Sequence, residues 1–139
     1  PHESRILRRQ IKRLQGNGRP LRWRGHVSDE ELNECYREAL FTVFPSLEEG
    51  VGLPILESLW HGRPVICGVD EPMASLGKGP GCLHANMRSA AELADAMRGL
   101  LSHPVRTREL SREAHGRSLR TWGDYLPEFT AMLREVVLR

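Results

Sequence analysis

Apolar positions in this chain recur in short blocks of differing period, and each block predicts an element. Ile6, Leu7, Ile11 and Leu14 stand at near-helical intervals among Arg and Lys, which predicts an amphipathic helix ending before Gly16-Asn17-Gly18. Leu21 to Arg24 reads as a short strand stopped by Gly25. Ser28, with Glu31 three residues on, has capping-box spacing. It opens a helix whose apolar stripe is Leu32, Cys35, Tyr36, Ala39 and Leu40. Phe41-Thr42-Val43-Phe44, aromatic and β-branched, predicts a buried strand. Pro45 to Gly52 is a loop, and Pro54 suits a first helical turn, where an N–H would have no partner anyway. That helix is expected to reach Trp60, with Gly62 as its stop.

Pro64-Val65-Ile66-Cys67 predicts another strand, residues 68–81 read as irregular, and Cys82-Leu83-His84 as one more short strand. Ser89 and Glu92 repeat the capping-box spacing before an apolar face of Leu93, Ala94, Met97, Leu100 and Leu101. Pro104 separates this helix from an Arg-rich one over about 106–119. A last helix, about Tyr125 to Leu138, is expected to bury Phe129, Met132, Leu133, Val136 and Val137. Short strands alternating with helices predict an α/β fold, a parallel sheet with helices on both faces. In such sheets ligands bind beyond the carboxyl ends of the strands, and the loop after Phe44 lies at one such end.

Composition narrows the class. Of 139 residues, 40% are hydrophobic and 27% charged, too apolar for a disordered chain. No apolar run approaches the roughly 18 residues of a membrane span, and Pro1-His2-Glu3-Ser4-Arg5 lacks the apolar stretch of a signal peptide. Cys35, Cys67 and Cys82 form no CxxC pair, so neither a zinc site nor a disulfide framework is expected, and a cytoplasmic setting fits best. The net charge of +2 conceals a split. Residues 1–24 carry eight bases and one acid, whereas residues 25–101 carry five bases and twelve acids. The basic helix reads as a solvated face, or as a peripheral contact with anionic lipid at the inner face of a membrane. No aromatic residue falls among its bases at residues 5–13, so nucleic acid is not an expected partner.

The chemistry concentrates between Phe44 and Leu59. A strand ends there, a glycine-bearing loop follows, and a helix starts at Pro54. Gly50 and Gly52 allow close approach to the backbone, and a helix N-terminus favours phosphate through its free N–H groups and dipole. Glu49 and Glu57 bracket this turn, eight positions apart. A carboxylate beside a phosphate site suits the paired hydroxyls of a ribose or sugar ring, which points to a nucleotide-sugar. The same glycines and acids also arise in loops with no ligand, because a first-turn Glu is favoured by the dipole alone. Both readings stand on the residues alone.

Glu49-x7-Glu57 lies within PS-x-x-EG-x-GLP-x-LE and is followed by HGRPVI. This resembles the signature of retaining, GT-B-fold glycosyltransferases of family 4, within glycosyl transferases group 1. Arg24-Gly25-His26-Val27-Ser28-Asp29-Glu30-Glu31-Leu32, the stretch from Ser89 to Leu101, and Thr121-Trp122 resemble further parts of that family's C-terminal, donor-binding domain. The resemblance covers almost the whole chain and implies a Rossmann-like fold. It implies that Glu57 accepts the ribose hydroxyls of a nucleotide-diphosphate sugar. It implies that Glu49, the catalytic candidate, contacts hydroxyls of the transferred sugar near the reacting carbon. Gly50, Val51, Gly52 and Leu53 would present backbone to sugar and diphosphate. His26 and Ser46 are further donor-site candidates. No metal or other cofactor is expected.

The resemblance also implies missing parts. The chain is expected to start after the domain's first strands and their phosphate-binding Arg and Lys, and to lack the N-terminal acceptor-binding domain. It would then be one partial donor-binding domain over residues 1–139, inactive alone, from an enzyme transferring a sugar to a glycan or lipid-linked acceptor. A non-catalytic nucleotide-sugar-binding module and a membrane- or partner-docking domain are the alternatives. Glu48 is expected to face solvent, His61 to sit at a helix end, and Lys78 to be a surface lysine. Trp60 and Trp122 are expected to pack in or at the edge of the core, and Cys67 to act as a small hydrophobe.

Overall fold

The computed structural model describes residues 2–137. They belong to two compact units, Pro1–Asn33 and Glu34–Arg139. In the first unit, helix α1 spans His2–Gly16. It ends where the Asn17 N–H bonds the Arg13 carbonyl at 3.1 Å and Gly18 turns left-handed, with φ +72°. Its apolar residues Ile6, Leu7 and Leu14 are exposed. The strand expected at Leu21 to Arg24 does not form, and Leu21 and Trp23 are exposed. A strand needs a ladder partner, which the sequence pattern cannot supply. Here the Leu21 carbonyl accepts from Gln15 Nε2 at 2.7 Å, and the Arg8 guanidinium lies 5.9 Å from the centre of the Trp23 ring. The Ser28 capping box forms as expected. The Glu31 N–H donates to Ser28 Oγ at 3.3 Å, and the Ser28 N–H donates to Glu31 Oε2 at 3.0 Å. Helix α2 follows over Asp29–Glu38.

The second unit holds the sheet. Strands β1 (Thr42–Phe44), β2 (Val65–Cys67) and β3 (Cys82–His84) run parallel in the order β1-β2-β3. Thr42 stands opposite Val65, and Val65 opposite Cys82. The middle strand is fully buried, which is why it reads as an unbroken apolar run and not an alternating one. Val65 and Cys67 pack on one side with Ile55 and Leu59 of α3 (Leu53–Trp60), Met73 of α4 (Met73–Leu76) and Ala114. Ile66 packs on the other side with Leu100 of α5 (Ala90–Ser102) and Leu110 of α6 (Pro104–His115). Helices therefore cover both faces, as predicted. β1 is half-buried instead of buried, because it is an edge strand.

Expectations for residues 68–119 also need correction. Residues 68–81 are not wholly irregular: Met73, fully buried, anchors the single turn of α4. α5 buries Leu100 and half-buries Leu93 and Ala96, and leaves Met97 and Leu101 exposed. Only half of its capping box forms. Ser89 Oγ accepts the Glu92 N–H at 3.2 Å, while the Glu92 carboxylate accepts from Asn86 Nδ2 at 3.3 Å. α6 starts earlier than expected, at Pro104, and stops at His115 with Gly116 as its cap.

Helix α7 spans Trp122–Val137, starting earlier than expected. Asp124 accepts from the Thr121 N–H at 2.8 Å and from its hydroxyl at 2.7 Å, which fixes that start. The predicted burial of its apolar face fails: Phe129, Met132, Leu133 and Val136 are exposed. Leu138 and the side chain of Val137 lie outside the described residues. Trp60, at 65% exposure, and Trp122, at 77%, are not core residues either. An amphipathic period specifies a helix but not what covers it.

Candidate functional site

The loop after β1 begins at Pro45 and ends at Gly52, the residue that caps α3. Gly52 is buried at φ +75°, a left-handed conformation that L side chains rarely adopt. A Cβ there would lie 3.1 Å from Leu76 Cδ1 and 3.7 Å from Phe44 Cε1. The glycine thus lets α4 and β1 close around the start of α3. A Cβ on Gly68, just past β2, would lie 3.6 Å from the Ser46 carbonyl oxygen. The chain segments leaving β1 and β2 therefore meet at the carboxyl edge of the sheet, where an α/β fold places its ligands.

The amide cradle is narrower than the sequence suggested. Pro54 has no N–H, and the Ile55 N–H is engaged by the Gly52 carbonyl at 3.0 Å. The Leu53 N–H makes no hydrogen bond among the described residues. It stands at the positive end of the helix dipole.

The two acids behave differently. Glu49 is exposed in the loop, and its Oε1 accepts from the adjacent Gly50 N–H at 3.2 Å. Glu57 is exposed on the second turn of α3, and its Oε2 accepts from the Tyr36 hydroxyl at 2.8 Å. Burial pushes the Tyr36 phenol well above its ordinary value, and its bond to the Glu57 carboxylate adds to the shift. The hydroxyl therefore stays protonated and donating. Sequence reasoning assigned Tyr36 only to the apolar stripe of α2. The missed signal was that a half-buried tyrosine hydroxyl seeks a partner.

The remaining candidates are spread out. Ser46 is half-buried, and its Oγ donates to the Glu48 carbonyl at 2.9 Å, bracing the loop. Gly50, Val51 and Leu53 are exposed around the turn, and Glu48 faces solvent as expected. His26 is exposed and belongs to the first unit. His61 caps the far end of α3, where its N–H bonds the Glu57 carbonyl at 3.1 Å. Lys78 is exposed.

A second polar cluster braces residues 68–81. His84 Nδ1 lies 3.0 Å from the Gly68 carbonyl oxygen and Nε2 lies 3.2 Å from that of Gly77, tying the end of β2 to the end of α4. Arg117 donates to the Leu76 carbonyl at 2.8 Å and to Cys82 Sγ at 3.5 Å. Cys67 is fully buried as expected, and its Sγ lies 3.7 Å from His84 Nδ1. The neighbouring Cys67 lowers the Cys82 thiol to about 7; burial opposes the shift and the Arg117 cation assists it. The Cys67 thiol is pushed up, by its interaction with Cys82 and by burial.

Among the described residues no three His, Cys, Asp or Glu side chains gather in a metal-binding group, and no helix is long and apolar enough to cross a membrane. On α1, Arg5, Arg8, Arg9 and Lys12 line a groove of about 580 Å³ together with Trp23.

Known proteins share both sequence and fold with this chain. Residues 1–103 match the family model described as glycosyl transferases group 1. Over 47 residues, 34% of the chain, it is 49% identical to O-antigen chain mannosyltransferase B of Escherichia coli, and that stretch is 12% of the mannosyltransferase. Its fold matches sucrose-phosphate synthase from Thermosynechococcus elongatus with a TM-score of 0.81 at 24% identity. That match covers 94% of this chain and 34% of the synthase, so the chain spans about a third of the structure it resembles.

Proposed function

Because the chain belongs to the group 1 glycosyl transferases, we propose that it is part of the donor-binding domain of a retaining enzyme of family 4, taking a nucleotide-diphosphate sugar. The observation that carries this reading is the Glu57 carboxylate. One oxygen is held by Tyr36 at 2.8 Å, and Oε1 has no protein partner among the described residues. A carboxylate offers about four lone-pair sites, so one protein donor leaves room for two neighbouring ribose hydroxyls.

In this reading the Leu53 N–H and the backbone of Gly50, Val51 and Gly52 face the diphosphate and sugar. Charge that grows on the leaving diphosphate then meets the positive end of α3. Glu49 contacts hydroxyls of the transferred sugar beside the reacting carbon, and Ser46 keeps its loop in shape. The whole enzyme would pass a hexosyl group to a glycan or lipid-linked acceptor with its anomeric configuration kept, using an acceptor-binding domain beyond these residues.

The test is calorimetric titration of the 139-residue chain with UDP, GDP and ADP, in chelator. At least one is expected to bind with saturating heat. No binding by any of the three contradicts donor binding by this chain. A non-catalytic module would bind equally well, and only turnover of the matching nucleotide-sugar by the longer protein separates the two.

A further inference from the structure

We propose that Tyr36 is a positioning residue for ribose recognition, acting through Glu57; the inference rests on the ribose role given to Glu57 above. The two residues are 21 positions apart and on different helices, so their 2.8 Å hydrogen bond is tertiary. Glu57 is exposed on α3, where an unrestrained carboxylate would sample several rotamers. Tyr36 removes that freedom by bonding a single oxygen. It does so without using the carboxylate's remaining acceptor capacity.

Tyr36 is itself held on two sides. Its ring stacks on His61 at 5.2 Å between centroids and 7° between planes. His61 lies four residues after Glu57, so the tyrosine lies along one face of α3 and touches it at two successive turns. The turn of α2 that carries Tyr36 is tied down as well, because Arg63 donates to the Arg37 carbonyl at 2.5 Å. Arg63 follows α3 directly after the Gly62 stop. The hydroxyl thus arrives at Glu57 from a fixed base. Its raised ionisation keeps it a donor throughout the neutral range.

A positioning role differs from a packing role in what the substitution spares. Tyr36→Phe keeps the ring and its stack on His61 while removing the donor. The measurement is affinity for the bound ribonucleoside diphosphate and for its 2′,3′-dideoxy analogue, in wild type, Tyr36→Phe and Glu57→Ala, with thermal unfolding of each. Wild type is expected to prefer the ribose form by roughly tenfold or more, and Glu57→Ala to lose that preference. Tyr36→Phe is expected to bind the ribose form about fivefold more weakly and the dideoxy form unchanged, so that its preference falls. Should Tyr36→Phe be too unstable to titrate, the same titrations at lower temperature carry the same expectation. An undiminished preference in the Tyr36 variant overturns the positioning role alone. So does an equal loss for both ligands, which marks packing. No preference in wild type overturns the ribose reading of Glu57 itself.

Discussion

The loop at residues 45–52 and the helix that follows it belong to one motif, yet they are built in opposite ways. At Gly50 an added Cβ would meet nothing within 4 Å, whereas at Gly52 it would press on Leu76 at 3.1 Å. Among the described residues Glu49 is bonded only to the amide next to it, while Glu57 is bonded to a tyrosine on another helix. α3 is rooted in the core by Ile55 and Leu59, and Ser58 reaches Thr42 Oγ1 at 2.6 Å and the Arg63 carbonyl at 3.0 Å. The lesson is a division of labour. The helix half is anchored in the core, whereas the loop half is open around Gly50.

This contrast can be broken from either side. The largest effect is expected at the root of the helix: Ile55→Ala should cost about 2–5 kcal/mol in urea unfolding, because Ile55 is fully buried. A loss below about 1 kcal/mol would mean that α3 is not anchored as described. Gly52→Ala should cost about 1–3 kcal/mol, from its left-handed backbone and the contact with Leu76. Gly50→Ala should change stability by less than about 0.5 kcal/mol. Equal costs at the two glycines would erase the distinction between fixed and free halves.

A smaller effect concerns the bracing of residues 68–81 behind the site. The Cys82 thiol is lowered from 9.0 to about 7, so the folded state binds fewer protons than the unfolded one between those values. Its stabilisation is therefore fully present above pH 9 and is lost as pH falls through about 7. Wild type should gain stability relative to Cys82→Ala between pH 7 and 9, as read from denaturant midpoints. A flat difference would remove Cys82 from the bracing network. The raised Cys67 thiol acts in the opposite sense and only above the ordinary thiol range.

Much of this architecture is visible in local residue choice. The Ser28–Glu31 box, Pro54 and Gly62 mark helix ends through chemistry that acts within a few residues, so sequence alone places them. The run Val65-Ile66-Cys67 betrays a strand covered on both faces for the same reason. What escaped sequence reasoning depends on distant partners. Leu21 to Arg24 has strand-like residues but no ladder neighbour. α7 has the period of a buried helix, yet its apolar side is exposed. α4 is a single turn, too short to show any period. Within the site, the two carboxylates and two glycines were legible as a motif. The Tyr36 contact was not, since spacing in sequence carries no trace of a bond across 21 residues.

The ribose contact proposed for Glu57 can be decided by a single comparison. Calorimetry of wild type, Glu57→Ala and Glu48→Ala is run against the nucleoside diphosphate that wild type binds. Glu57→Ala should lose at least roughly tenfold in affinity, while Glu48→Ala, an exposed neighbour of the motif, should stay within about twofold. Equal affinity in wild type and Glu57→Ala would rule out a ribose contact at Glu57.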